Sequence, residues 1–152
     1  MIFVTVGTHH QPFDRLLDAV AALGRDDVVV QHGHSSAPRG VAEAVPFLPF
    51  ADIEAKMHAA DAVVTHAGVG SILLALRCGH TPIVVPRLRR HGEHVDDHQA
   101  ELTDALAGRG VVVALDDVTE LGPVLESPPA RRPAAVPAES GLHRAVRSAL
   151  LA

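Results

Sequence analysis

Residues 62–71 read Ala-Val-Val-Thr-His-Ala-Gly-Val-Gly-Ser, and an apolar stretch from Ile72 to Cys78 follows at once. The run 62–65 shows no polar alternation, so it belongs in a parallel strand buried on both faces. The glycines let the backbone turn tightly and come close to a ligand. The helix after them starts with unpaired amide N–H groups at a positive dipole end, which favours a bound phosphate. A strand–elbow–helix unit of this kind draws the rest of the chain into an α/β sheet and points to a nucleotide or nucleotide-sugar ligand. The spacing is equally met by a tight turn that holds no ligand.

The remaining sequence alternates in the same way. Residues 2–6 read as a first strand, Gly7 to Gln11 as a turn, and Pro12 as the opening of a helix carrying Phe13, Leu16, Leu17, Val20 and Ala21 at helical spacing. Further strands are expected at 27–31, 44–48, 62–65, 82–85 and 111–115. Helices are expected from Asp52 as cap to about residue 60, over 69–78, over 95–107, and over 116–125. Such alternation predicts a parallel, doubly wound sheet covered on both faces, a three-layer α/β/α domain over residues 1–126. Ligands in such sheets sit beyond the carboxyl ends of the strands, where Gly7-Thr8 and the 66–71 elbow both fall. Residues 127–140 carry four prolines among alanine and arginine and read as a tether. Residues 141–152 read as a short amphipathic helix, free to dock on this domain or on another protein.

Composition narrows the function classes. A chain of 152 residues suits one domain, and only four aromatic residues, all Phe, leave Ala, Val and Leu to build the core. A net charge of −5 argues against general nucleic-acid binding, which draws its affinity from Lys and Arg. A single cysteine, Cys78, allows no internal disulfide and reads as a buried thiol. No apolar run has a membrane-spanning length, and residues 1–6 lack the basic flank of a signal peptide. The expectation is a soluble, cytoplasmic protein whose membrane contact comes through a partner.

Three stretches together resemble one family: residues 1–16, with Gly7-Thr8-His9-His10-Gln11-Pro12-Phe13; Thr65-His66-Ala67-Gly68-Val69-Gly70-Ser71; and 83–99, with Pro86-Arg87 and Gly92-Glu93-His94-Val95-Asp96-Asp97-His98-Gln99. The chain resembles glycosyltransferase family 28 C-terminal domains over about residues 1–115. It is similar in particular to the small free-standing subunits of two-part transferases, eukaryotic ones acting on dolichol-linked sugar and bacterial ones in exopolysaccharide synthesis. The resemblance implies the Rossmann-like half of a GT-B enzyme with a UDP-sugar donor. It further implies a membrane-associated partner subunit that brings a lipid-linked saccharide acceptor. No cofactor and no metal are implied, because the UDP-sugar is a substrate; for an isolated subunit, the face meant for its partner offers a route to a homodimer.

Several residues become candidates on this basis. His66, Ala67, Gly68, Val69, Gly70 and Ser71 would hold the diphosphate, and Gly7 and Thr8 would border it from the first loop. Phe50 lies where the uracil ring is received, as a pocket wall or as an ordinary core residue. Asp97 and Gln99 would meet sugar hydroxyls, with Glu93 and His94 in the same stretch; acids here would also suit a helix start. His9 and His10 read as solvated loop residues. His91, His94 and His98, or His32 and His34, invite a zinc reading, but no cysteine or HExxH pattern joins them and surface or pocket roles are favoured. Arg87, Arg89 and Arg90 would supply a cation for an acidic sugar, and their loop would equally suit contact with the partner or with acidic lipid headgroups.

One position departs from the family. A glutamate that holds the ribose hydroxyls is implied where Leu74 stands. The favoured reading is the donor-binding subunit of an inverting glycosyltransferase. The alternative is a regulatory or scaffold subunit with a degraded nucleotide-sugar site. A dinucleotide-binding domain fits poorly, since the first turn is not Gly-x-Gly-x-x-Gly and no acidic residue ends the second strand.

Overall fold

The valine- and isoleucine-rich runs pair side by side into a single sheet. In the computed structural model, which describes residues 1–132, the strands are β1 (Ile2–Thr5), β2 (Val28–Gln31), β3 (Glu43–Val45), β4 (Ala62–His66), β5 (Ile83–Val85) and β6 (Val113–Ala114). Their order is β3-β2-β1-β4-β5-β6, and every neighbouring pair is parallel. Phe3 lies beside Val29 and Val63, and Thr5 beside Gln31 and Thr65. The order reverses between β1 and β4, which makes the carboxyl edge there the topological switch point where sheets of this kind bind ligands.

The helices are α1 (Asp14–Ala22), α2 (Phe50–Ala59), α3 (Val69–Arg77), α4 (His98–Gly108) and α5 (Leu121–Glu126). Alternation along β1 divides the core. Ile2, Val4 and Val6 pack with Leu16, Leu17 and Val20 of α1 and with Leu121 and Leu125 of α5. Phe3, Val29 and Val63 pack on the other face with Met57, Leu74, Ala75 and Cys78. Ile72, Leu76 and Val84 extend that layer to Leu102 and Leu106 of α4. The expected three-layer, doubly wound α/β domain is therefore present, and Cys78 is a buried thiol within it.

Several boundaries move for local reasons. β3 stops at Val45 because Pro46 has no amide N–H to continue the ladder. α2 begins at Phe50 behind Pro49, and Asp52 lies in its first turn without capping it by a side-chain bond. α4 begins at His98, not 95, because side chains compete for the backbone before it. The Asp96 carboxylate accepts the His98 N–H at 3.0 Å and the Asp97 carboxylate accepts the Arg89 N–H at 2.9 Å. The expected helix over 116–125 divides into a 3₁₀ turn at Val118–Glu120 and α5.

The first residues of the expected tether run back along the amino edge of the sheet. Arg131 donates to the carbonyls of His58 at 2.8 Å and Cys78 at 2.7 Å, near the ends of α2 and α3. The Arg132 N–H meets the Gly79 carbonyl at 2.7 Å. The rest of the tether, 133–140, and the expected helix 141–152 lie outside the described residues.

Candidate functional site

Three loops converge at this switch point. The first follows β1, the second is the β4–α3 elbow, and the third joins β5 to α4. Buried polar residues shape the first. Gln31, at the end of β2, bonds the Thr5 hydroxyl and donates to the carbonyls of Gly7 at 3.1 Å and Pro46 at 2.9 Å. Gly7 takes φ +76°, which a side chain would resist. Its position is also filled from the other side: a Cβ on Gly7 would overlap the His66 ring, and so would one on Gly68.

His66 is therefore clamped between two glycines at the end of the central strand β4. Its Nδ1 is buried with no hydrogen-bond partner, and its Nε2 lies 3.5 Å from the Ser71 hydroxyl. Burial, followed by the nearby charges of Arg87, His9 and His94, pushes its pKa down to about 3. The ring is neutral at physiological pH. Beside it, α3 begins at Val69 with Gly68 as an extended N-cap and no side-chain cap. Ile72 is the residue whose N–H reaches the Gly68 carbonyl, at 3.0 Å. The amides of Val69, Gly70 and Ser71 are thus left as donors facing the carboxyl edge, where the dipole favours an anion.

Arg87 ties the first and third loops together. Its guanidinium is fully buried and donates to the carbonyls of Val6 at 2.7 Å, Gln11 at 2.6 Å and Glu93 at 3.2 Å. The Phe13 ring lies 4.9 Å below it. Burial lowers its pKa to about 10, with Glu93 opposing, so it stays charged at neutral pH. The Glu93 carboxylate, only 3% exposed, pairs with Arg15 at 3.0 Å and accepts the Leu88 N–H at 3.1 Å. The expectation of Arg87 as a cation for an acidic sugar is corrected here: the side chain is fully buried, and both terminal nitrogens donate to main-chain carbonyls. Glu93 likewise acts as a strut between α1 and the third loop, because both its oxygens have protein partners. Arg89 and Arg90 remain on the surface, in a 3₁₀ turn.

The other candidates divide in the same way. Gly7, His66, Ala67, Gly68, Val69, Gly70 and Ser71 come together at the elbow, with Thr8 exposed beside them. His94 reaches the same place: its ring stacks on His9 at 4.8 Å between centroids. The Gln99 side chain accepts the Arg87 N–H at 3.0 Å, so it orders the third loop from α4. Asp97 stands at the start of α4, bonded to Arg89. Phe50 is 64% exposed on the β3–α2 side, which removes the ordinary-core alternative. Phe47 is also exposed there, edge-on to His34. Leu74 is buried among Phe3, Val29 and Met57 in the cluster that Leu48 and Ile53 join. Among the described residues no group of three or more His, Cys, Asp and Glu side chains is arranged to hold a metal ion, and no helix is long and apolar enough to cross a membrane.

His9 was legible only as a loop residue, because its partner His94 is distant in sequence. Arg87 carries one faint signal: it follows a buried strand by one proline, where a cation has little room to reach solvent.

A family model described as the glycosyltransferase family 28 C-terminal domain matches residues 1–127. The chain belongs to that family. Among curated relatives, UDP-N-acetylglucosamine transferase subunit ALG13 of Yarrowia lipolytica is 28% identical over 138 residues, 80% of this chain and 68% of that protein. The subunit of the same name from Cryptococcus neoformans is 39% identical over 71 residues, 45% of this chain and 34% of that protein. The fold matches larger solved enzymes. The glycotransferase of kitacinnamycin aligns with TM-score 0.58 at 25% identity, over 97% of this chain and 39% of that one. The glycosyltransferase SnogD of Streptomyces nogalater aligns with TM-score 0.51 at 23% identity, over 97% of this chain and 36% of that one. The domain thus corresponds in fold to the Rossmann-like half of a GT-B glycosyltransferase, and it spans under two fifths of either solved chain.

Proposed function

We propose that this chain is the donor-binding subunit of an inverting glycosyltransferase. It takes a UDP-sugar, UDP-N-acetylglucosamine by the names of its relatives, and works with a membrane-associated subunit that presents a lipid-linked saccharide. That places the chain on the cytoplasmic side of a membrane through its partner, in glycoconjugate or polysaccharide synthesis. The observation that carries the reading is the uncapped start of α3 beside a buried His66 whose Nδ1 has no partner. Native proteins pair almost all buried polar atoms. An orphan at an anion-seeking helix start marks the place where a ligand completes the set.

The chemistry follows from those donors. An acceptor hydroxyl attacks the anomeric carbon from the face opposite the leaving group. The bond from that carbon to the β-phosphate oxygen breaks, and UDP departs with the electron pair. Charge grows on the diphosphate as it leaves. Fixed N–H groups of Val69, Gly70 and Ser71 aimed at it stabilise the transition state more than the ground state. Arg87 and Glu93 hold the flanking loops, and the proton of the attacking hydroxyl passes to a base on the partner.

Isothermal titration with UDP and UDP-N-acetylglucosamine tests this reading. Saturable binding of both is expected. No binding at millimolar UDP, with the partner subunit present or absent, overturns it.

Leu74 favours a second reading, a regulatory subunit with a degraded site, because its buried aliphatic chain accepts no hydrogen bond from a ribose. Leu74→Glu separates the two. A large gain in UDP affinity, with no sugar transfer by the native complex, favours the degraded site. Unchanged affinity, or a loss from burying a carboxylate among apolar groups, favours the catalytic reading.

A further inference from the structure

Strand β2 runs Val28-Val29-Val30 and then ends on Gln31. The glutamine stands in a cross-strand row with Thr5 of β1 and Thr65 of β4. All three side chains are buried. Val84 continues the row on β5, so the polar stretch covers the strands around the switch point. An amide inside a sheet covered on both faces is costly unless its hydrogen bonds are made. The bonds that Gln31 makes point to what it does.

Its neighbours fix which way the amide is turned. The carbonyls of Gly7 at 3.1 Å and Pro46 at 2.9 Å both face one end of it, and a carbonyl only accepts. That end is therefore Nε2. Oε1 faces the Thr5 hydroxyl, which donates to it. With its proton committed there, the Thr5 oxygen accepts the Gly7 N–H at 3.3 Å. Gly7 is thus held by its N–H through Thr5 and by its C=O through Gln31. The Pro46 carbonyl also accepts the Gly33 N–H at 2.8 Å. It opens the stretch that carries the exposed Phe47 and Phe50. One side chain fastens the first loop and the β3–α2 loop together.

Gly7 passes the constraint on. A Cβ at this position would lie 2.4 Å from His66 Nε2, so the Gly7 backbone is the wall against which the ring stands. The same nitrogen lies 3.5 Å from the Ser71 hydroxyl at the start of α3. Gln31 itself is 1% exposed, on the strand across β1 from β4. It cannot touch a ligand. It sets where the groups at the elbow stand.

We propose that Gln31 is a positioning residue of the donor site, acting through Thr5 and Gly7 to seat the His66 ring beside the first amides of α3. The proposal rests on the donor-site reading above. An apolar side chain of similar length fills the same space in the sheet but releases the Gly7 peptides. The ring then loses its wall, and the elbow loses the arrangement that meets a diphosphate. The fold survives this change and UDP binding suffers, because preorganised donors act only when they are held in place.

The test is isothermal titration of UDP, with urea unfolding of each variant alongside. Gln31→Met removes the amide. Thr5→Val removes the hydroxyl and keeps the branched shape, whereas Thr5→Ser keeps the hydroxyl. His80→Leu removes a buried bond at the amino edge, to the Met57 carbonyl at 2.6 Å, and is the control for lost stability. Gln31→Met and Thr5→Val should weaken UDP binding by about ten- to a hundredfold, the scale on which supporting residues act on a site. Thr5→Ser and His80→Leu should bind UDP as the native protein does. In ligand-free Thr5→Val the His66 ring resonances should move while those of His80 stay. Native affinity in Gln31→Met or in Thr5→Val, or unmoved His66 resonances, overturns the proposal and leaves the donor site standing. An equal loss in Thr5→Ser or His80→Leu overturns it as well, because the effect then follows general weakening of the fold. Should Gln31→Met fail to fold, the Thr5 pair decides. If the native protein binds no UDP, with the partner subunit present or absent, the donor-site reading fails and this proposal with it.

Discussion

At the amino edge of the sheet the Met1 ammonium meets Asp61 at 2.6 Å, His80 donates to the Met57 carbonyl at 2.6 Å, and Arg131 closes over the ends of α2 and α3. At the carboxyl edge the contrast is direct: His66 Nδ1 and Arg87 Nε are buried without partners, α3 starts uncapped, and glycines press on an imidazole ring. The same sheet supports both edges, so the difference does not come from the strands. It comes from what each edge must leave open. Polar groups at the amino edge find each other and serve stability alone. Those at the carboxyl edge tie loops together and leave buried atoms without partners. A fold breaks its own rules of polar satisfaction where a ligand is to complete them.

The sharpest way to test that contrast is to remove the tie at the open edge. Arg87→Met leaves the carbonyls of Val6, Gln11 and Glu93 without their donor. A loss of about 3–4 kcal/mol in urea unfolding is expected, since each buried orphan costs roughly 1–3 kcal/mol and the removed charge returns part of its desolvation. UDP affinity should fall with it. Unchanged stability would show that the loops do not depend on this cation. Gly68→Ala comes next. Its methyl meets the His66 ring, and one of them must shift. Overpacking of this kind costs about 1–3 kcal/mol, and UDP affinity should drop tenfold or more. Native affinity in this variant would mean that the elbow is structural only.

These two residues also mark how far the sequence could be read. Gly68 was legible, because a valine-rich strand followed by small residues and an apolar helix leaves the chain little choice. The strands of both faces were legible for the same reason. Arg87 was read as a loop cation available to an acidic sugar. It is buried because carbonyls from two loops and a strand end point inward together, a convergence that no local pattern encodes. The delayed start of α4 was hidden as well. Apolar Val95 and the flanking acids suggested a helix, but Asp96 and Asp97 spend their carboxylates on the backbone and hold residues 94–97 as a loop. Phe50 was placed near a ligand by resemblance, whereas its exposure is set by Pro49, which starts α2 with this residue on the outside.

Acid should affect the two edges in one direction and to different degrees. His66 has a folded pKa of about 3 against an ordinary value of 6.5. Above pH 6.5 the ring is neutral in both states and contributes no pH dependence. Below it the unfolded chain takes a proton that the folded chain refuses, so stability falls with pH until about pH 3. The slope limit is about 1.4 kcal/mol per pH unit, so a loss of about 2 kcal/mol from this ring is expected between pH 6 and 4. His80 is also lowered by burial, with its bond to Met57 opposing, and adds in the same sense. Thermal melts across this range check the sign. His66→Asn should flatten most of the acid limb; an equally steep limb in that variant would assign it to other groups.

The smallest effect belongs to the closed edge. Arg131→Ala removes the donors to His58, Ala60 and Cys78. The arginine is exposed, and water can take its place on these carbonyls. A loss of about 1 kcal/mol is therefore expected, seen as a fall of about 2–4 °C in melting temperature. UDP affinity should not change, because these carbonyls lie at the amino edge, the length of β4 or of α3 away from the elbow. That null result on binding is the informative half of the experiment. If Arg131→Ala weakens UDP binding, the carboxyl end of α3 communicates with its amino end, and the division of labour between the two edges must be replaced by a single coupled body.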